Sequence, residues 1–140
     1  MNEPQSKSAL RFLPPIARVL MGLMFFVFGL NGFFHFIPQP KDPMPDGVTA
    51  LMGGFMASHY MMPLIFGTQT LVGFLLLINC FVPLALALIA PVIVNIIAFH
   101  TFLMPSTIAP GIVVLILEIF LAWSYRRVYA PMLACKVKPN

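Results

Sequence analysis

The sequence predicts an all-α integral membrane protein, a four-helix bundle with a short interfacial helix between the first and second spans. Of its 140 residues, 60% are hydrophobic and only 9% are charged, whereas soluble domains average about 45–50% apolar and about 25% charged residues. The apolar residues form four long stretches, and basic residues flank the first and the last of them. We therefore expect a single membrane domain, residues 1-140, whose core forms by helix packing in lipid.

The first span is predicted at residues 16-37, after a polar cytoplasmic tail at residues 1-15. A helix of about 22 residues extends roughly 33 Å, enough to cross a hydrocarbon core of about 30 Å. Pro38 is expected to end this span, because proline interrupts helical hydrogen bonding.

Polar and small side chains gather near the outer end of the first span. Asn31 and His35 are four residues apart and therefore share one helix face. Gly29 and Gly32 lie beside them and allow a neighbouring helix or a ligand to approach closely. The same residue types also serve as ordinary helix-packing contacts in membrane bundles, so a structural role stays open here.

Residues 38-62 are predicted to form an outer loop followed by the interfacial helix. The stretch PQPKDPMPD at residues 38-46 is too rich in proline for regular structure. Asp46 is a candidate N-cap for the helix that follows. That helix is too short to span the membrane, and its apolar stripe predicts that it lies on the outer interface. The stripe consists of Val48, Leu51, Met52, Phe55 and Met56.

The second span is predicted at residues 63-81, with Gln69 about two turns below the outer surface. His59 and Tyr60 precede it, at the headgroup level where such side chains commonly anchor helices. The short connection to the next apolar stretch predicts an antiparallel helical hairpin with its turn inside.

The third span is predicted at residues 83-104 and carries Asn95 and His100 inside an otherwise apolar segment. Lipid offers such side chains no hydrogen-bond partners, so they are expected to face protein or water. Pro91 is expected to bend the helix below them. The two polar residues are five positions apart and diverge by roughly 140° around the helix, so they do not point at the same spot.

The fourth span is predicted at residues 108-125 and carries Glu118 near mid-membrane. An ionised carboxylate at that depth is costly, so we expect Glu118 to be protonated, hydrogen-bonded or next to a wet cavity. An aromatic and cationic anchor ends the span ahead of a cytoplasmic tail at residues 126-140. The anchor consists of Trp123, Tyr125, Arg126 and Arg127.

Charge distribution predicts the orientation of the chain and narrows its partners. Basic residues cluster near both termini, which the positive-inside rule places in the cytoplasm. This distribution of charge does not predict binding to nucleic acid. The expected partners are the lipid bilayer and either other membrane proteins or further copies of the chain. Cys80 and Cys135 are far apart and are expected to be reduced and inert. The clustered basic residues are Lys7, Arg11, Arg18, Arg126, Arg127, Lys136 and Lys138.

Four stretches resemble the DoxX-like family of small four-span membrane proteins and together cover most of the chain beyond its N-terminal tail. They are FGLNGFFHFIP at 28–38, QTLVGFLLLINCFVPLAL at 69–86, PVIVNIIAFHTFLMP at 91–105 and LEIFLAWSYRRVYAPML at 117–133. The resemblance implies a four-helix bundle in a bacterial inner membrane. Some relatives are associated with quinone-linked sulfur oxidation or with redox and oxidative-stress complexes. The family offers no catalytic signature that can be placed on this sequence.

Threading four spans with the termini inside places one polar cluster in the outer half of the membrane. In a redox hypothesis, His35 and His100 exchange hydrogen bonds with a quinone-like head group, because histidine titrates in the range that quinone chemistry needs. The amide side chains would orient that head group. The candidate cluster comprises Asn31, His35, Gln69, Asn95 and His100.

The sequence carries no evident cofactor motif. It has no CxxCH haem attachment site and no paired cysteines. Axial haem ligation by His35 and His100 is geometrically conceivable but not expected, and the histidine spacing predicts no metal site. No catalytic residue is assigned.

The sequence is compatible with three functions. The favoured one is a non-catalytic subunit or scaffold of a membrane complex, in which the polar side chains lock the helices together. The first alternative is a quinone-linked redox subunit with an outward-facing polar pocket, which would act as part of an oxidoreductase. The second is a small-solute transporter with Glu118 as its coupling residue.

Overall fold

The computed structural model describes residues 9–140, and every regular element in that range is helical, which confirms the all-α class. The first eight residues of the predicted tail, including Lys7, lie outside the described part. The longer helices are α1 (Leu13–Phe34), α2 (Asp46–Ala57), α3 (Met61–Leu77), α4 (Val82–Leu103) and α5 (Ala109–Ser124). A short α6 (Arg126–Tyr129) follows, and 3₁₀ turns occupy Pro105–Thr107 and Ala130–Leu133.

Two of these helices are long and apolar enough to cross a membrane on their own. They are α1 and α4, each of 22 residues. The other candidates are bent pairs: α2 meets α3 at 90°, and α5 meets the segment Arg126–Leu133 at 71°. The count rises to four spans if each bent pair is taken as one span. This composition is consistent with a multi-pass membrane protein.

Helices α1 and α3 make the closest packing in the molecule, along a line of glycines. A Cβ atom on Gly29 would lie 2.6 Å from the backbone nitrogen of Thr70, and one on Gly73 would lie 2.7 Å from the Cα of Phe26. A Cβ on Gly32 would overlap the ring of Phe66. Because no side chain intervenes, the two backbones approach each other directly, as small residues permit in membrane helices.

The other long helices close the bundle. Helix α3 packs on α4, α4 packs on α5, and α5 packs on α1. Their inward faces form one apolar cluster. Its fully buried side chains include Met21 of α1, Leu76 of α3, Ile89 of α4 and Leu121 of α5. Four helices therefore share a single core.

Several predicted helix ends differ from the structure. Helix α3 ends at Leu77, four residues before the predicted end of the second span at residue 81. Helix α1 ends at Phe34, three residues before the predicted end of the first span. The carboxamide of Asn31 accepts a hydrogen bond of 2.7 Å from the backbone N–H of Ile37, and His35 adopts a left-handed φ of 52°. A side chain thus turns the chain before Pro38 is reached. Asp46 is the first residue of α2 instead of its N-cap, which is Pro45.

The end of the fold opposite α2 is held together by three long-range hydrogen bonds, two from Arg18 and one from Tyr129. The guanidinium of Arg18 on α1 donates to the carbonyl oxygens of Leu76 and Leu77 at the C-terminus of α3. The negative end of the helix dipole also stabilises a cation at this position. The hydroxyl of Tyr129 donates to the carbonyl oxygen of Pro83 at 2.6 Å, which joins α6 to the start of α4.

We predict that Gly29→Ala destabilises the protein by about 1–3 kcal/mol, because the added methyl group forces α1 and α3 apart. The matched control is Gly67→Ala in α3, where, apart from the helix's own neighbouring residues, no atom of residues 9–140 lies within 4 Å of an added Cβ. Alanine in a helix interior is about 0.5–1 kcal/mol better than glycine, so the control is expected to gain stability. Circular dichroism during unfolding in detergent measures both variants. Equal effects in the two variants would contradict a direct contact between the backbones of α1 and α3 at Gly29.

Burial, followed by the charges of Glu118 and Tyr125, raises the pKa of Tyr129 from 10.0 to about 12. The unfolded chain therefore loses this proton first as pH rises, so the folded state loses stability between pH 10 and about pH 12. Tyr129→Phe should remove the tyrosinate absorbance change near pH 12. It should also remove that part of the stability loss. Tyr60→Phe, at a site 64% exposed, is the matched control and should leave the stability loss of the folded protein unchanged.

Candidate ligand-binding pocket

A cavity of about 950 Å³ lies where α2 and the loop before it meet the ends of α1 and α3. Its walls are mostly aromatic and methionine side chains, among them Phe33, Phe55, Phe66, Met52 and Met62. Concave sites of this size with an apolar lining and a few polar groups are typical of small-molecule binding. Its principal polar lining residues are Asn31, His35, Gln39, Thr49 and His59.

The bend between α2 and α3 forms one side of this cavity. His59 sits in the bend with a left-handed φ of 62°. The Ser58 hydroxyl donates to the carbonyl of Phe55 at 2.6 Å and accepts from the N–H of Met61 at 3.2 Å. One serine side chain therefore ties the end of α2 to the start of α3 and directs the chain through its 90° turn.

Gly32, near the end of α1, forms part of the cavity wall. The bare backbone at Gly32 leaves room for the ring of Phe66 from α3. That ring packs edge-on against Phe33, with 6.2 Å between centroids. Asn31 precedes these residues, and its bond to Ile37 turns the chain so that His35 joins the lining.

Of the five residues in the predicted polar cluster, the structure brings Asn31 and His35 to the cavity. The other three do not line it. Gln69 is buried within α3 at 8% exposure, and Asn95 is exposed on the outer side of α4. The sequence favours interface anchoring for His59, and the structure places its side chain in the cavity lining. Its position directly before the second apolar stretch was the available signal.

The side chain of His100 forms a hydrogen bond across the turn that connects α4 to α5. Its Nδ1 lies 2.9 Å from the Thr107 hydroxyl, which itself donates to the carbonyl of Met104 at 3.2 Å. Because that hydroxyl proton is already used, the hydroxyl accepts and Nδ1 carries the donated proton. The imidazole also stacks edge-on with Phe99. The cavity therefore holds one member of the predicted pair His35 and His100.

The imidazoles of His35 and His59 are the titratable side chains that line the cavity. Among residues 9–140, no three His, Cys, Asp or Glu side chains come close enough together to hold a metal ion. Cys80 and Cys135 are both exposed, free thiols. Hydrogen bonding and apolar contact are the interactions that this lining offers to a ligand.

Glu118 lies away from the cavity, in the core of the four long helices. Together with Gly111, Val114 and Leu121, it forms the buried face of α5. The side chain is 8% exposed, and its Oε2 has no hydrogen-bond partner among residues 9–140. An unpaired buried carboxyl oxygen costs folding free energy, so stability alone does not explain an acid here.

We predict that Glu118→Met stabilises the protein by about 1–3 kcal/mol, because an apolar side chain of similar length removes the unsatisfied oxygen. Thermal unfolding in detergent measures the change. Val114→Met, on the same buried line, is the matched control and is expected to destabilise by overpacking. Loss of stability in Glu118→Met would show that the carboxyl group is satisfied in the folded protein.

Comparisons of the chain with protein-family models, curated protein sequences and solved structures found no significant match. The resemblance of its sequence to the DoxX-like family stays a prediction.

Proposed function

We propose that α1, α3, α4 and α5 cross a bacterial inner membrane as a four-helix bundle with both termini in the cytoplasm. The shared core and the many large apolar side chains exposed on the outside support this placement. With 17 and 16 residues, α3 and α5 extend about 25 Å and 24 Å, close to the shortest lengths that span. Their bent neighbours would then lie along the two interfaces.

Side chains at the end opposite α2 support the same orientation. The Arg126 guanidinium stacks over the ring of Trp123, 4.8 Å from its centroid. An arginine beside an exposed tryptophan is typical of a membrane interface. Arg11 and Arg127 are exposed near that end, in keeping with a cytoplasmic surface.

We propose that the cavity under α2 binds an amphipathic ligand of the quinone class, with a planar polar head and an apolar body. The carrying observation is the combination of His35, His59 and Asn31 with a wall of phenylalanine and methionine side chains in one cavity. Imidazole and amide groups offer donors to ring carbonyl oxygens. Aromatic and thioether side chains pack well against a flat ring.

In this proposal the chain is a non-catalytic subunit that holds the quinone for a membrane oxidoreductase. The resemblance to the DoxX-like family, in which some relatives are associated with quinone-linked reactions, supports that ligand class. The cavity lies beside α2, which makes few contacts with the other helices. A ligand could therefore enter past α2 without disturbing the core shared by the four long helices. His35 and His59 would orient the head group by hydrogen bonding.

Binding of a short-chain ubiquinone to the purified protein tests this function. A saturating ligand at about 100 times its Kd is expected to stabilise the folded state by about 2.7 kcal/mol, which appears as a rise in Tm. His35→Ala and His59→Ala should each weaken binding by about tenfold, the equivalent of one lost hydrogen bond.

The matched control is His100→Ala, which removes an imidazole that does not line the cavity. It should lower Tm, because the bond to Thr107 is lost, while the affinity for ubiquinone stays unchanged. Absence of binding to the wild-type protein would refute the ligand class. An equal loss of affinity in all three variants would show that the effect is on folding and not on the cavity.

A further inference from the structure

The outer face of α4 carries exposed side chains at a regular spacing. Residues 84, 88, 91, 95 and 102 follow one another at intervals of four, three, four and seven, which is the a and d spacing of a heptad repeat. All five are exposed, while the core-facing residues of α4 lie between them. The exposed stripe consists of Leu84, Leu88, Pro91, Asn95 and Phe102.

Asn95 is the polar member of this stripe and lies deep in the helix. It is 13 residues after Val82 and eight before Leu103, about 20 Å and 12 Å along the axis. In the membrane placement proposed above, on which this inference rests, its carboxamide lies within the hydrocarbon core. A carboxamide offers two donors and one acceptor oxygen, and lipid chains satisfy none of them.

The exposed hydroxyls of Thr68 in α3 and Ser124 in α5 do not raise this problem. Thr68 and Ser124 each donate at 2.8 Å to the carbonyl oxygen four residues earlier in their own helix. The same exposed face of α4 has a second backbone or side-chain group without its usual partner. Pro91 has no N–H, so the carbonyl oxygen of the exposed Ala87 lacks its usual helical donor. Polar groups on this face call for a protein neighbour.

We propose that α4 is a homodimer interface in which Asn95 pairs with Asn95 of a second copy of this chain. A carboxamide is both donor and acceptor, so two of them related by a two-fold axis satisfy each other. Two copies inserted with the same orientation place Asn95 at the same depth, and their α4 helices run parallel. The heptad spacing of the stripe then gives the left-handed crossing of such a helix pair.

Cysteine cross-linking in lipid vesicles tests this interface in the full-length chain with Cys80→Ser and Cys135→Ser. Leu88→Cys lies on the stripe and keeps Asn95 intact. The matched control is Ile116→Cys, 60% exposed on the outer face of α5. Under mild oxidation, Leu88→Cys should form a covalent dimer at least tenfold more efficiently than Ile116→Cys, because a disulfide requires Cα atoms within about 7 Å.

Asn95→Leu added to Leu88→Cys should lower the cross-linked fraction at limiting protein density by about tenfold, and Asn95→Gln should restore part of it. Equal cross-linking at Leu88→Cys and Ile116→Cys, or an unchanged yield with Asn95→Leu, would overturn the pairing. Capture of a different membrane protein by Leu88→Cys in native membranes, with no dimer, would likewise reject a second copy as the occupant.

A membrane-impermeant maleimide separates this inference from the proposed membrane placement. Neither Leu88→Cys nor Ile116→Cys should react with it when α4 and α5 are embedded in lipid. Reaction at both sites would overturn the membrane placement and the dimer together. Protection without a cross-link at Leu88→Cys would overturn the dimer alone. Ubiquinone binding should be unchanged by Asn95→Leu, because Asn95 does not line the cavity.

Discussion

The direct backbone approach of α1 and α3 is the constraint on which the rest of the structure depends. Gly29 and Gly73 leave no room for side chains between the two helices. Once that contact is made, Gly32 is placed under the ring of Phe66, and the end of α1 becomes part of the cavity wall. The rotation of α3 about its own axis is also set, since Val72 and Leu76 then face the shared core.

Polar residues that look alike in the sequence occupy four different environments in the structure. Asn31 turns the chain after α1, and His100 fastens the connection between α4 and α5. Gln69 is buried, and Asn95 faces outward from the bundle. Each placement follows from the rotation of a helix and from its local hydrogen bonds. Residue type and membrane depth alone do not define a site in such a chain.

The helices were predictable from the sequence because four apolar stretches separated by proline and glycine leave few alternatives. The divergence of Asn95 from His100 was also predictable, since five residues turn a helix by roughly 140°. The composition of the cavity was not. It depends on the Asn31 side chain bonding to Ile37 and on the Ser58 hydroxyl turning α2 into α3. Such bonds depend on three-dimensional positions that hydrophobic periodicity does not encode.

The two ends of the structure differ in how firmly they are held, and this difference suits a ligand that enters from one side. Arg18 and Tyr129 tie helices together at the end opposite α2. Helix α2, in contrast, buries Val48 alone. Segments with so little buried surface open at low free-energy cost. A ligand under α2 would add apolar contacts where the protein has few, so its binding energy would order that helix while the glycine contact of α1 and α3 stays fixed.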